Sequence, residues 1–497
     1  MSETEVKLHV DAGRRGRLLD ALGHRRIRQS ALSAIYFDTP DLLLSRHRFA
    51  LRLRNEDGRW VQTLKGGKAG AADRLEHEVP VEPDGSSAGV PQLDLERHRD
   101  SRVGRELRAL LRRHKNPSLG ESCRTEVTRL RRLLRARGAV VEWALDEGEV
   151  TAAGRSQPIS ELELELKSGD PASLFALAHD WETLHGLWVD PVSKSERGAL
   201  LVKHEPFRAA VKARPPAWSA KETRAMDGDA MLRGMVACCL AQILPNAAEI
   251  ARGSHDPEHV HQLRVGLRRL RSVARGMQPF ATRLPAGWEP AIMPVFEALG
   301  DARDKHVQST AVAPRLRKAG ALVADLGGPS EEEAKALQQL VRGGVFQGML
   351  LRLLSCAERP VDEAGRDDTG SGIEHLVRQL GKLKRQVTRD AGRFDELPFA
   401  QQHMARKRLK RLRYLAGFAT PAFDGDDVEA WMDKASQAQD HLGEHIDLAL
   451  AANRFASLAE TDPGAGFAAG WLRAKADAST RAARKSLERL RGAKVFW

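Results

Sequence analysis

Between Glu161 and Lys167 the chain reads ELELELK. Glu161, Glu163, Glu165 and Lys167 share one parity, and Leu162, Leu164 and Leu166 share the other. Successive side chains of an extended strand point to opposite faces, so this run predicts a strand with one charged and one apolar face. The leucines demand a packed layer behind them. The carboxylates repel one another and demand water or cations. The same period of two recurs upstream. Glu3, Glu5 and Lys7 oppose Val6 and Leu8, Arg52 and Arg54 alternate with Leu51 and Leu53, and Arg74, Glu76 and Glu78 share a face. RWVQTLK, which ends at Lys65, continues it, as do RTEVTRLRRL and VVEWALDEG. About eight such runs with few tight hairpins predict a large antiparallel sheet or a closed barrel. Helical stretches are predicted between them near 12–22, 101–114 and 172–185.

Beyond the Pro-bearing segment VKARPPAWSA the apolar period becomes helical. The expected division is residues 1–205, a linker at 206–220, and an all-helical region at 221–497. Segments 326–335 and 360–372, rich in Gly, Pro and Asp, are expected to be loops. The helical region repeats itself. HQLRVGLRRLR (261–271) aligns with HMARKRLKRLR (403–413), pairing His261 with His403, Arg264 with Arg406, Arg268 with Lys410 and Arg271 with Arg413. LGDARDKHV (299–307) aligns with LGEHIDLAL (442–450). Two copies of one unit predict two related helical bundles about a pseudo-two-fold axis.

Composition narrows the classes. Hydrophobic residues make up 42% of the 497 and charged residues 29%, which excludes a wholly disordered chain. No run approaches the ~20 apolar residues of a membrane span. The N-terminal MSETEVKLHV lacks an apolar signal core, so a cytoplasmic chain is expected. Cys123, Cys238, Cys239 and Cys356 show no CxxC spacing, which argues against a disulfide scaffold or a cysteine zinc site. A net charge of +12 favours an anionic partner. Aromatics are only 5%, so platforms for base stacking are scarce, and a partner made of phosphate without bases is favoured over nucleic acid.

The charged strand faces have two readings. On an ordinary barrel they face water. If the leucines instead face covering helices, the glutamates line a lumen, where several carboxylates need cations. Hard divalent ions take oxygen ligands and keep waters for phosphate substrates. Lumenal Arg and Lys would clamp phosphate oxygens. That constellation spells a metal-assisted phosphoryl site.

Residues 1–205 resemble the CYTH family of triphosphate tunnel metalloenzymes. The elements that carry the resemblance are ExExK (Glu3, Glu5, Lys7), YFDTPD (36–41), ALRLR (50–54), QTLK (62–65), LEHEV (75–79), ALDEG (144–148), ELELELK (161–167) and SKSERG (193–198). The resemblance implies an eight-stranded antiparallel tunnel that binds a triphosphate with Mg²⁺ or Mn²⁺. It implies metal ligands among Glu3, Glu5, Asp146, Glu161, Glu163 and Glu165, with Glu163 and Glu165 the preferred pair. It implies phosphate clamps at Lys7, Arg52, Arg54, Lys65, Arg129 and Lys194, with Arg124 and Arg197 weaker candidates. The catalytic set is Glu5, Lys7, Arg52, Arg54, Lys65 and Glu163, and Glu76 and Glu78 would neutralise the arginines.

The second half resembles the CHAD domain, through HQLRVGLRRLR, LGDARDKHV, RKRLKRLRYL (406–415) and AQDHLGEHIDL (438–448). Lys305 stands where an acidic residue is usual, and Ala438 and Ile446 also depart from the pattern. The resemblance implies binding of inorganic polyphosphate through His261, Arg264, Arg268, Arg271, His403, Arg406, Lys410 and Arg413, and a cytoplasmic place at polyphosphate granules. The fold class expected is therefore α+β followed by all-α: an eight-stranded antiparallel tunnel, then a duplicated helical bundle. The function expected is a metal-dependent inorganic triphosphatase that cleaves tripolyphosphate, with a polyphosphate-binding module. Two other readings compete: a non-catalytic granule protein, and a nucleotide, thiamine or RNA triphosphatase or adenylate cyclase on the same tunnel. Oligomeric state is left open.

Overall fold

The computed structural model describes residues 2–23, 27–66, 73–82, 89–321, 328–358, 370–460 and 463–497, with the side chains of Ser2, Glu3, Asp73, Arg74 and Pro463 outside that description. The strands are β1 (Ser2–His9), β2 (Arg28–Asp38), β3 (Ala50–Glu56), β4 (Arg59–Gly66), β5 (Asp73–Val81), β6 (Gly120–Ala136), β7 (Ala139–Ala152), β8 (Arg155–Ser168) and β9 (Trp188–Val189). Among them lie helices α1 (Arg15–Leu22), α2 (Leu43–Arg46), α3 (Arg102–Arg113), α4 (Pro171–His185) and α5 (Lys194–Lys203). Then come α6 (Ala220–Ala225), α7 (Gly228–Ala251), α8 (Pro257–Gly276), α9 (Trp288–Val307), α10 (Ala313–Lys318) and α11 (Glu331–Arg342). The chain continues through α12 (Gly344–Ala357), α13 (Gly372–Thr388), α14 (Phe399–Ala419), α15 (Gly425–Leu458) and α16 (Pro463–Arg491).

The sheet is antiparallel, in the order β5-β4-β3-β2-β6-β7-β8-β1-β9. β1 pairs with β5 through Ser2–Thr4 and with β8 through Glu5–His9, so one strand closes the ring on both sides. Eight strands form the closed ring, as expected. The ninth, β9, is a two-residue addition to β1, too short to show alternation in sequence.

The apolar face of ELELELK turns outward, under helices. Leu162 and Leu164 are fully buried, and α4 brings Leu174, Phe175 and Ala178 onto this side of the sheet. α3 covers another part of the outside. Ser101 caps it by accepting the Gly104 N–H, and Val103, Leu107, Leu110 and Leu111 recur at helical spacing to join Leu51 and Leu64 in one core.

One end of the ring is filled by α5. Ser193 and Glu196 form a capping box that starts the helix, and Leu201 and Val202 pack on Leu32, Ala34, Cys123, Val127, Val150 and Ile159. Gly198 allows the close approach: a Cβ there would stand 2.1 Å from Cys123 Sγ.

The chain divides into two compact units. One holds Met1–Lys212 with Leu240–Ser254 and Gln338–Pro360, and the other holds Ala213–Cys239, His255–Leu337 and Val361–Trp497. In the first unit, Gln347 Oε1 accepts the Val189 N–H at 2.9 Å, and Arg342 Nε donates to Ala251 O at 2.7 Å. In the second, α8 packs against α9 and α14, and α14 against α15. From residue 220 onward helices are the regular elements among the described residues, apart from the isolated bridge Asp227–Ser371.

The expected loop at 326–335 is wrong in its second part, because α11 begins at Glu331. Ser330 and Glu333 cap it reciprocally, a signal that outweighs the preceding Gly-Pro pair. Of the expected loop at 360–372, positions 360–369 lie outside the described residues, and α13 starts at Gly372.

Candidate functional site

The inner face of the ring follows from parity. Odd positions of β1, β4, β6 and β8 and even positions of β3, β5 and β7 carry the charges, and ion pairs join them between neighbouring strands or strands one apart. Arg129 grips Asp146 with two nitrogens, each at 2.6 Å, and reaches Glu163 at 2.5 Å. Lys194, the first residue of α5, touches Asp146 at 2.7 Å, Glu163 at 3.1 Å, and Glu161. Lys7 lies 3.0 Å from Glu163 and 3.6 Å from Glu5. On the opposite strands, Lys65 pairs with Glu76 at 3.0 Å and Arg54 with Glu78 at 3.4 Å. Arg52 donates to the Tyr36 hydroxyl at 3.3 Å.

Burial opposes charge on Lys7, Arg129 and Lys194, yet the carboxylates around them outweigh it and hold all three above their ordinary pKa. Burial likewise pushes Glu163 and Asp146 up, but Lys194 leads the cations that bring both below the ordinary carboxylate range. These five groups thus stay charged at neutral pH.

The acids fit a hard divalent ion by chemistry. Asp146, Glu161 and Glu163 place carboxylate oxygens within 4.8 Å of one another, and Glu161 Oε2 is buried without a hydrogen-bond partner. Lys194 already stands on these three acids. Toward the other end, Glu5 lies directly opposite Glu165 in the β1–β8 register, and Glu142 lies opposite Glu165 in the β7–β8 register. Carboxylates facing each other across a ladder are unfavourable without a cation.

The structure gathers Glu5, Lys7, Arg129, Asp146, Glu161, Glu163 and Lys194 into one cluster, with Arg52, Arg54 and Lys65 on the facing strands. Glu165 turns to Lys167 at 2.5 Å, outside the acidic triad. Arg124 takes the opposite parity from Arg129, is exposed, and pairs with Glu121 at 2.5 Å, so it lies outside the lumen. Arg197 is buried behind Glu161 (3.7 Å) and bonded to Asp190 at 2.7 Å. The Glu3 side chain lies outside the described residues.

The second candidate site lies on α8 and α14. Arg264 reaches Asp304 at 3.6 Å, and Arg406 reaches Asp447 at 3.0 Å. A Cβ on Gly300 would stand 2.8 Å from the Arg264 guanidinium, and one on Gly443 would stand 3.7 Å from that of Arg406. The two sequence copies therefore make the same Arg–Gly–Asp contact. Nε of both arginines is buried with no hydrogen-bond partner. Burial, then Arg406 and Arg268, push Lys410 down to about 7. Burial lowers His261 and His403, with nearby Arg and Lys adding to it. Arg271 turns to Glu289 at 2.7 Å and Arg413 to Gln439 at 2.9 Å, so these two are engaged elsewhere.

Two family models match the chain in succession. The CYTH domain model matches residues 1–199, and the CHAD domain model matches residues 234–456. The chain is a CYTH–CHAD protein. An inorganic triphosphatase of Haemophilus influenzae is 31% identical over 175 residues, covering 34% of this chain and 46% of that relative, so the chain spans about half the length of the curated relative it matches. A CHAD domain structure from the plant Ricinus communis aligns with a TM-score of 0.45 at 25% identity, over 58% of this chain and 99% of that one. A putative adenylyl cyclase from Hippeastrum aligns with a TM-score of 0.30 at 20% identity, over 41% of this chain and 96% of that one.

Four residues of the CYTH half escaped the sequence reading. Arg131, which pairs with Glu56 at 3.0 Å, follows Arg129 on the same parity. Glu142 precedes Asp146 on the same parity and lies 4.0 Å from Lys167. Both were legible from alternation alone. Tyr36 and Asp190 carry no such signal, because Arg52 and Arg197 meet them through the turn of the chain between them and not through strand alternation.

Proposed function

We propose that the CYTH tunnel is a divalent-metal-dependent triphosphatase that cleaves tripolyphosphate to pyrophosphate and phosphate, and that the CHAD helices bind inorganic polyphosphate. The observation that carries the first part is the charge-paired lumen. Lys7, Arg52, Arg54, Lys65 and Arg129 share one inner surface with the carboxylates, in a ring whose other end α5 fills. The identity to an inorganic triphosphatase supports this choice of substrate.

A phosphate chain enters from the end that α5 leaves open. Arg52, Arg54 and Lys65 take its non-bridging oxygens and exchange their contacts with Tyr36, Glu78 and Glu76 for phosphate. A divalent ion held by Glu163, with Glu5 and Glu165 beside it, would polarise the phosphoryl group under attack and lower the pKa of a bound water. Water attacks the terminal phosphorus and the bridging P–O bond breaks. Lys7 and Arg129 offset the charge left on pyrophosphate. Lys194 keeps Glu163 ionised and oriented. Phosphate release from tripolyphosphate, long-chain polyphosphate, ATP and thiamine triphosphate, each with Mg²⁺ or Mn²⁺, tests the reading. Tripolyphosphate should be turned over fastest, and preferred cleavage of ATP or thiamine triphosphate would overturn it.

For the CHAD half the carrying observation is a pair of cationic helices on which Lys410 is set among Arg406, Arg268 and Arg264, with Asp447 the acid opposing them. A cytoplasmic protein attached to polyphosphate granules fits these two activities. Retention of the full chain on immobilised long-chain polyphosphate, competed by salt, tests the binding.

A further inference from the structure

Behind Glu161 the first compact unit holds a second buried charge group. Arg197 and Asp190 are 4% and 1% exposed and bond at 2.7 Å. Asp190 is fixed from three directions. Its Oδ2 accepts Arg197 Nη2, its Oδ1 accepts the Val192 N–H at 3.1 Å, and its own N–H donates to Lys7 O at 3.0 Å. Glu249 is fully buried, 3.2 Å from Arg252, and belongs to segment Leu240–Ser254, outside the residues matched as CYTH. Arg197 is held charged by Asp190, Glu161 and Glu249 despite its burial. Burial pushes the Glu249 carboxyl up to about 7, with Arg252 opposing and Asp190 adding.

We propose that Asp190 is a positioning residue: it holds the Arg197 guanidinium behind Glu161, and through Glu161 it sets where Lys194 stands in the tunnel. The inference rests on the triphosphatase reading. The relay is short. Asp190 grips Arg197, Arg197 lies 3.7 Å from the otherwise unbonded Glu161 Oε2, and the other oxygen of Glu161 meets Lys194. Asp190 is buried and bonded to Arg197 rather than to any lumen cation. Its loss should leave the phosphate grip of Arg52, Arg54 and Lys65 intact and misplace the group that orders Glu163. A shift on the order of an ångström at a reacting centre costs up to ~100-fold in rate.

The test is steady-state hydrolysis of tripolyphosphate by the full chain. Asp190→Asn should lower kcat by about tenfold or more while KM moves less than about threefold. Asp190→Glu, which keeps the carboxylate, should restore part of kcat. Asp190→Asn also leaves a buried guanidinium unpaired and should lower the melting temperature. The double variant Asp190→Asn/Arg197→Met removes both charges. It should regain thermal stability without regaining kcat, because Glu161 still lacks its support. If kcat recovers together with the melting temperature, the pair is only structural and the proposal falls. A wild-type chain that releases no phosphate removes the triphosphatase reading and this role with it. An active wild type matched by Asp190→Asn removes this role alone.

Discussion

Lys7, Arg129 and Lys194 in the tunnel each touch a carboxylate, and their pKa values rise despite burial. Arg264, Lys410 and Arg411 on α8 and α14 are lowered by burial and by neighbouring cations. Both regions are basic and partly buried, yet the tunnel cations stand among carboxylates, whereas the helix pair sets Lys410 among further cations beside its Arg264–Asp304 and Arg406–Asp447 contacts. The difference teaches what each can do. A paired site is already organised, so an incoming anion replaces existing partners, and specificity comes from geometry. A site with cations in excess carries a repulsive strain that any flexible polyanion relieves, so it binds through charge density and responds to salt.

The largest effect expected is on turnover. Glu163 contacts Lys7, Arg129 and Lys194 at once, so Glu163→Gln should cut tripolyphosphate hydrolysis at saturating metal by roughly 100-fold or more. Phosphate release from the folded variant measures it. Near-normal turnover would mean that the paired cluster serves stability alone.

Next comes charge reversal on the helix site. Arg268→Glu with Lys410→Glu should weaken polyphosphate binding by about 100-fold or more. The same change in net charge at exposed Arg317 and Lys318 should weaken it less than about threefold. Those two residues lie in α10. Equal losses in the two variants would reduce the helix pair to bulk basicity. Because Leu240–Ser254 and Gln338–Pro360 cluster with the tunnel, full-length chains are the proper material for these assays.

A smaller effect separates the two regions by substrate. Arg52→Ala should weaken tripolyphosphate binding by about ten- to 100-fold, as expected for one charge-assisted contact of ~1.5–3 kcal/mol. Calorimetry should find polyphosphate binding at the helices unaltered.

The smallest effect is one of protons. Lys410 titrates at about 7 in the folded chain against 10.5 ordinarily, so between those values the unfolded chain holds a proton that the folded one lacks. Its penalty is full below about 7 and is relieved as pH rises toward 10.5. A bound polyanion favours the ammonium, so at pH 8 binding should draw in up to about one proton. Titration calorimetry in two buffers of different ionisation enthalpy reads this uptake, and Lys410→Arg should abolish it. The tunnel responds in the opposite sense. Asp146 and Glu163 lie below their ordinary 3.8 and 4.5, so the stability they contribute is present above those values and lost as pH falls through the depressed ones. Mild acid should therefore strengthen the helix site before it harms the tunnel.

Much of both sites can be read without coordinates. Alternation is a local property of extended backbone, so ELELELK already sorts Glu161, Glu163 and Glu165 onto one face and the leucines onto the other. The Arg264–Gly300–Asp304 and Arg406–Gly443–Asp447 contacts follow from a duplication visible in the chain. Parity also separates Arg124 from Arg129, five residues apart on one strand. The reading from resemblance passed over that, and the structure places Arg124 outside the lumen.

What local pattern cannot supply is the choice of partner. Whether a charged face turns inward depends on β1 meeting both β5 and β8, a closure between residues far apart in sequence. Folding alone decided that Lys194 from α5 joins the strand residue Arg129 on the acidic triad, because α5 had to enter the ring and Gly198 let it approach Cys123. Folding likewise decided that Arg197 backs Glu161 instead of facing the lumen, and that Asp190 holds it there. Burial turns these long-range meetings into strong interactions, since charges removed from water must find their partners inside the protein.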